Sequence, residues 1–141
     1  AALLFFNDAP TTEIYTITHT LSLPDALAIA RSVVSALRDV AAAAPGKVIL
    51  AYEPVWSIGE GGIPADPAFA NDQHKRIKAL TVEVCGRALP VLYGGSVNPQ
   101  NCCDLALQSD IDGLFIGRSA WNAEGYIGII EAVTAALGDH A

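Results

Sequence analysis

The sequence predicts an α/β fold in which a parallel sheet carries helices on its outside. Two observations predict it. Strand-like and helix-like segments alternate four times along the chain, the order produced when parallel strands are joined by crossover helices. The segments "KVILAY" and "LPVLY" are also close to continuously apolar, as strands covered on both faces are. No linker or low-complexity tract interrupts the alternation, so residues 1–141 are expected to form a single α/β unit.

The first strand expected is Glu13 to Thr20, "EIYTITHT", where β-branched residues recur with period two. Ser22-Leu-Pro-Asp25 then reads as a helix start, with Leu27, Ala30, Val33, Val34 and Leu37 as its apolar face. That helix should stop before Pro45-Gly46. The second strand begins at Lys47. Beyond the loop that follows it, Asp66-Pro67 combines a cap with a proline in the first turn, and Phe69, Ile77, Leu80 and Val84 give the next helix a less regular face. The third strand, Leu89 to Tyr93, runs into Gly94-Gly95-Ser96, and Asn98-Pro99 opens another helix. The fourth strand spans Asp112 to Gly117. A final helix presents Tyr126, Ile129, Ile130, Val133 and Leu137 and ends near Gly138.

Composition narrows the function classes. With 52% hydrophobic and 16% charged residues, the chain can bury a core and is not expected to be disordered. A net charge of −7 without a basic stripe argues against nucleic acid as a partner, and any anionic ligand must be drawn in by a local site against the overall field. No apolar stretch approaches the roughly 18 residues of a spanning helix, so no membrane partner is expected. Cys85, Cys102 and Cys103 form neither an even framework nor a C-x-x-C pair, which points to a reduced, cytoplasmic setting with the thiols acting as small hydrophobes. The absence of methionine, even at position 1, suggests a chain that starts partway through a longer product.

Chemistry is expected in the loops after the carboxyl ends of the strands, where such folds build their active sites. The apolar second strand ends in one ionisable residue, Glu53, followed at once by Pro54, Val55 and Trp56 and then by the glycine-rich run Gly59 to Gly62. The next two strand ends carry Gly94-Gly95-Ser96 and Gly117-Arg118-Ser119. Glycines there let backbone N–H groups approach an anion closely. A carboxylate beside two such loops makes a coherent set, a phosphate clamp next to a general base. Each residue has an ordinary structural reading as well, namely a solvated glutamate, a turn glycine, a packing tryptophan or a surface arginine.

Order and spacing distinguish the two readings. "AYEPVWSIGEG", "VLYGGSVNPQN" and "IDGLFIGRSAW" resemble the sixth, seventh and eighth strand-loop motifs of the triosephosphate isomerase family, in that order, with the similarity running from about Leu23 to the end. The resemblance implies a TIM (β/α)8 barrel fold of which this chain covers the last four βα units, a half-barrel, since a whole barrel needs about 250 residues. It implies isomerisation of dihydroxyacetone phosphate and glyceraldehyde 3-phosphate through an enediolate, without cofactor or metal.

Carried over by motif, Glu53 would be the base. Gly59, Ser96, Gly117 and Arg118 would hold phosphate. Pro54, Val55 and Trp56 would lead a mobile lid, and Tyr93 and Ser96 would latch it, shielding the intermediate from water. Arg118 stands where the isomerase usually has a second glycine, and "GRSAW" looks more like relatives that isomerise phosphorylated four-carbon ketoses. The family's lysine and histidine electrophiles have no counterpart here, because His19, His74, His140, Lys47, Lys75 and Lys78 lie outside matching motifs. The resemblance therefore implies a homodimer or a missing N-terminal half-barrel as partner, with an inactive phosphate-binding or pairing fragment as the alternative.

Overall fold

A computed structural model describes residues 2–3, 23–43 and 46–139. Their strands are β1 (Ala2–Leu3), β2 (Val48–Tyr52), β3 (Val91–Tyr93) and β4 (Gly113–Leu114). Their helices are α1 (Leu23–Ala43), α2 (Pro67–Cys85), α3 (Cys102–Ala106) and α4 (Ala123–Gly138). The expected α/β class holds, and both strand pairs with a defined register are parallel: β1 on β2, with Ala2 opposite Val48, and β3 on β4, with Leu92 opposite Gly113. The strand expected at Glu13 to Thr20, the capping residue Ser22, and Pro45 lie outside the described residues. The described chain groups into two compact units, Ala1–Leu50 with Lys75–Pro90 and Ala51–His74 with Val91–Ala141.

In the first unit, Leu37, Ala41, Val48 and Leu89 form a buried cluster, with Val33, Leu50 and Cys85 packed on it. Of the face expected on α1, Val34 and Leu37 are buried and Ala30 and Val33 partly so, the spacing that an apolar stripe on a 3.6-residue period requires. Gly46 has φ +80, the left-handed conformation that ends the segment before β2. The Leu50 amide donates to the Pro90 carbonyl at 2.9 Å. Arg31 bridges Glu83 through two bonds of 2.7 and 3.1 Å, which raises the arginine's pKa and lowers the glutamate's through the hydrogen bond and the pair's charges. Both side chains face water, so this pair adds little to stability.

The second unit holds the larger core, made of Ala70, Tyr93, Val97, Cys102, Leu105, Ile111 and Ile129. Asp66 caps α2 as its sequence position predicts, its carboxylate accepting from the Phe69 amide at 3.0 Å with Pro67 in the first turn. The Gly94 amide continues the parallel pattern by donating to the Tyr52 carbonyl at 2.9 Å. Asp112 accepts from the Val91 amide at 2.8 Å and fixes the entry to β4. Asn122 caps α4, accepting from Gly125 at 2.7 Å.

Several sequence expectations are corrected. The fourth strand is two residues long rather than Asp112 to Gly117, and the third starts at Val91 because Pro90 lacks the N–H a ladder needs. The helix after Asn98-Pro99 begins only at Cys102, since Asn98 and Asn101 first close a turn in which Asn101 accepts the Asn98 amide at 2.8 Å. β2 is not covered on both faces among the described residues, with Ala51 exposed. On α4, Ile129 is buried and Val133 partly so, but Tyr126, Ile130 and Leu137 are exposed at 52, 46 and 47%. That helix is apolar nearly all round, so periodicity cannot choose which stripe meets the core.

Buried Thr81 couples two segments of the first unit. Its hydroxyl donates to the Lys78 carbonyl at 2.8 Å and accepts from the Leu89 amide at 3.1 Å. Thr81→Val keeps the shape but strands a buried amide, a loss of about 1–3 kcal/mol. Urea titration of the variant should show a lower midpoint with an unchanged slope.

Candidate active site

Glu53 follows β2 directly, and Pro54 behind it is buried with φ −63 and ψ 126. The proline's fixed φ stiffens the backbone where the carboxylate is presented, and its carbonyl accepts from the Ser57 amide at 2.8 Å to start the turn Val55–Ser57. The loop then doubles back: Ile63 donates to the Trp56 carbonyl at 3.1 Å and Gly62 to the Gly59 carbonyl at 3.4 Å. Gly59 and Gly61, at φ +83 and +78, adopt the left-handed backbone this reversal demands. The expected lid is thus a compact hydrogen-bonded loop with its glycines at the reversal. Trp56 is 51% exposed and leans on the Phe69 ring at 6.0 Å.

Tyr93, at the end of β3, is fully buried. Its hydroxyl accepts from the Ala65 amide at 3.2 Å and meets the Ser57 hydroxyl at 3.3 Å, so it holds the loop at both of its ends. Ser96 donates from Oγ to the Ser57 carbonyl. It sits at φ 49, a left-handed backbone that costs a non-glycine residue roughly 1–2 kcal/mol. Asn98 and Asn101 both donate to its carbonyl, at 3.1 and 3.2 Å, and support the strained turn.

A cavity of about 720 Å³ opens above these strand ends. Glu53, Gly59, Ser96, Gly117 and Arg118 all line it, so the structure brings together the base candidate and every phosphate-site candidate. Of the lid and latch residues, Pro54, Val55, Trp56 and Tyr93 do not line the cavity. Asn98, Phe115 and Trp121 are wall residues without an expected role, and Ser119, expected at its strand end but with no role of its own, lines the wall as well. All four lie in the quoted motifs within three residues of Ser96, Gly117 or Arg118, and that proximity is the signal that could have found them. Ser57 was also missed, although it is fully buried and meets both Tyr93 and Ser96.

Gly94 and Gly95 face protein groups, whereas Gly117 faces open space. A Cβ on Gly94 would stand 2.7 Å from Glu53 Cγ, and one on Gly95 would collide with the Tyr93 and Ser57 hydroxyls. Their bareness therefore makes room for the carboxylate and the latch. At Gly117 nothing lies within reach of an added Cβ, which leaves its backbone open to a ligand. Arg118 does not wait in solvent for phosphate alone, because its Nη2 donates to the Gly59 carbonyl at 2.6 Å.

Glu53 keeps an accessible side toward the cavity, but loss of water on its packed side pushes its carboxyl above the ordinary carboxylate range. A poised carboxyl of this kind suits proton abstraction better than a fully solvated one. Beneath the latch, Tyr52 is pushed up to about 12, first by burial and then by the neighbouring Tyr93, and stays a neutral phenol. His74 is fully buried against both tyrosines, with ring centroids 5.7 Å from Tyr52 and 6.1 Å from Tyr93. It does not line the cavity, and neither does any lysine among the described residues. His19 and His140 lie outside the described residues.

The raised carboxyl has a consequence for stability. A carboxyl whose folded pKa lies above its unfolded value destabilises the fold once it ionises, so the cost is absent at low pH and grows as pH rises through the folded pKa. Glu53→Gln should therefore melt higher than the parent at pH 7, with the two melting temperatures converging below pH 4, near the ordinary carboxylate range. Gly94→Ala should lower the melting temperature at either pH, because Glu53 must shift to admit the methyl group.

Comparison with known proteins extends the geometry. The family model described as triosephosphate isomerase matches residues 14–133, so the match begins upstream of Leu23, where the motif resemblance was read to start. The L-erythrulose-1-phosphate isomerase of Rhizobium etli is 54% identical over 108 residues, which cover 76% of this chain and 40% of that protein. Its namesake in Rhizobium rhizogenes is 56% identical over 91 residues, 64% of this chain and 35% of that protein. That of Brucella abortus is 55% identical over 84 residues, 60% and 33%. The matches thus span 40% or less of the length of these curated relatives.

Proposed function

Since the chain belongs to the triosephosphate isomerase family, we propose that it supplies the base and the phosphate grip of an isomerase acting on a phosphorylated four-carbon ketose. The observation that carries this reading is the single cavity lined by Glu53, Ser96, Gly117 and Arg118. A substrate phosphate held by the Gly117 backbone, Ser96 and Arg118 orients the sugar so that a C–H beside its carbonyl faces Glu53. Glu53 removes that proton to give an enediolate and returns it to the adjacent carbon, while the hydroxyl proton passes to the former carbonyl oxygen. Gly59 and the loop around it, latched by Tyr93 and Ser96 and led by Pro54, Val55 and Trp56, keep water from the intermediate.

The triose pair, dihydroxyacetone phosphate and glyceraldehyde 3-phosphate, was the first expectation from the motifs. Two observations move the reading to four carbons: the relatives are named for L-erythrulose 1-phosphate, and the last loop reads Gly-Arg-Ser rather than carrying a second glycine.

Charge developing on the enediolate needs an electrophile, commonly the largest contribution in such catalysis. No lysine or histidine lines the cavity among the described residues. In this proposal the electrophiles come from an N-terminal half-barrel, with the present chain as the last four βα units of a cytoplasmic, homodimeric enzyme. The short reach of the chain along its relatives supports that division.

The test combines the 141-residue chain with the N-terminal part of the Rhizobium etli relative and follows L-erythrulose 1-phosphate and dihydroxyacetone phosphate in parallel. Turnover is expected only in the combination and faster with the four-carbon substrate. Faster turnover of the triose, or none from a folded complex, would overturn the proposal. In the active combination, Glu53→Gln should lower kcat by about 10²–10⁴-fold with little change in KM, the usual loss when a general base is removed.

A further inference from the structure

The contact between Arg118 and Gly59 has a role that phosphate binding does not explain. Arg118 begins the turn Arg118–Ala120 after β4, and its guanidinium crosses to the tip of the Trp56–Ile63 loop, where Nη2 donates to the Gly59 carbonyl at 2.6 Å. The same carbonyl accepts the Gly62 amide at 3.4 Å and so belongs to the hydrogen bond that closes the loop's reversal. The tip has few other attachments. Gly59, Glu60, Gly61 and Ile63 are exposed, and an added Cβ would meet nothing at Gly59 or Gly61. Tyr93 and Ser96 hold the loop at Ser57 and Ala65, on either side of the tip, and leave the tip itself to the arginine.

We propose that Arg118 is a positioning residue that clasps the lid tip through the Gly59 carbonyl. A guanidinium carries five N–H donors in a rigid fork. One is spent on the carbonyl, and the others remain on a side chain that lines the cavity. An anion in the cavity then shares a cation with the lid, and phosphate binding and lid position are coupled through one side chain. Glycine at this position would offer backbone to the phosphate but no clasp. The coupling rests on the phosphate-cavity reading above, whereas the clasp stands on the hydrogen bond alone.

Hydrogen exchange of the 141-residue chain without ligand tests the clasp. In Arg118→Gly, the Gly62 and Ile63 amides should exchange on the order of tenfold faster, the effect of losing one charge-assisted bond, while amides of α3 and α4 keep their rates. Arg118→Lys, which retains a cationic donor, should recover part of the protection. Unchanged exchange at Gly62 and Ile63, or equal acceleration throughout the chain, would overturn the clasp. Calorimetric titration of the parent with inorganic phosphate separates the two readings. A loosened lid in Arg118→Gly together with no phosphate binding by the parent supports the clasp and sinks the phosphate site. Phosphate binding with an unaltered lid does the reverse.

Discussion

The Tyr93 hydroxyl is the point on which the site depends. It is carried on a ring buried in the core of the second unit, beside Cys102, Leu105 and Ile129, and it meets both Ser57 and the Ala65 amide. A loop otherwise held by its own backbone bonds and a few long-range ones thereby gains an anchor as immobile as the core. The polar tip needs partners because an unpaired buried hydroxyl is costly, so the requirement that stabilises the core also fixes the loop. Ser96 adds a second bond to Ser57, and the adjacent glycines leave the space that brings these groups together.

The same crowding shapes the chemistry. Gly94 lies against Glu53 closely enough that a methyl group would not fit, and water lost on that side raises the carboxyl's proton affinity while the opposite side faces the cavity. Ser96 holds a left-handed backbone at the cavity wall, supported by two asparagine amides. Strain of this kind persists only where surrounding bonds over-determine it, and it commonly marks a working site. Carboxylate, strained serine and arginine come from three successive strand ends, the usual construction in which a rigid sheet positions variable loops.

Much of this was legible in the sequence where the cause is local. An apolar strand ending in Glu53-Pro54, a cap at Asp66-Pro67 and glycines at the loop reversal each follow from residues next to one another. What was not legible depends on distant partners. Nothing near Arg118 announces that it will find a carbonyl 59 positions away, and nothing near Ser57 announces polar contacts with the end of β3 and the loop after it. Gly94 and Gly95 were singled out for the approach of an anion, whereas the groups an added Cβ would meet there belong to the protein. On α4 the apolar residues are continuous enough that the sequence cannot say which of them face the core, and Tyr126 and Leu137 lie outward.

The claim at the centre of this account is that the carboxylate of Glu53 and a bound phosphate occupy one cavity. It is tested most directly by a carbon-13 titration of the Glu53 carboxyl with and without inorganic phosphate. A phosphate beside the carboxylate disfavours its charged form, so the account predicts a titration midpoint above that of a free glutamate, moving further upward when phosphate binds. A midpoint that phosphate binding leaves unchanged would contradict it.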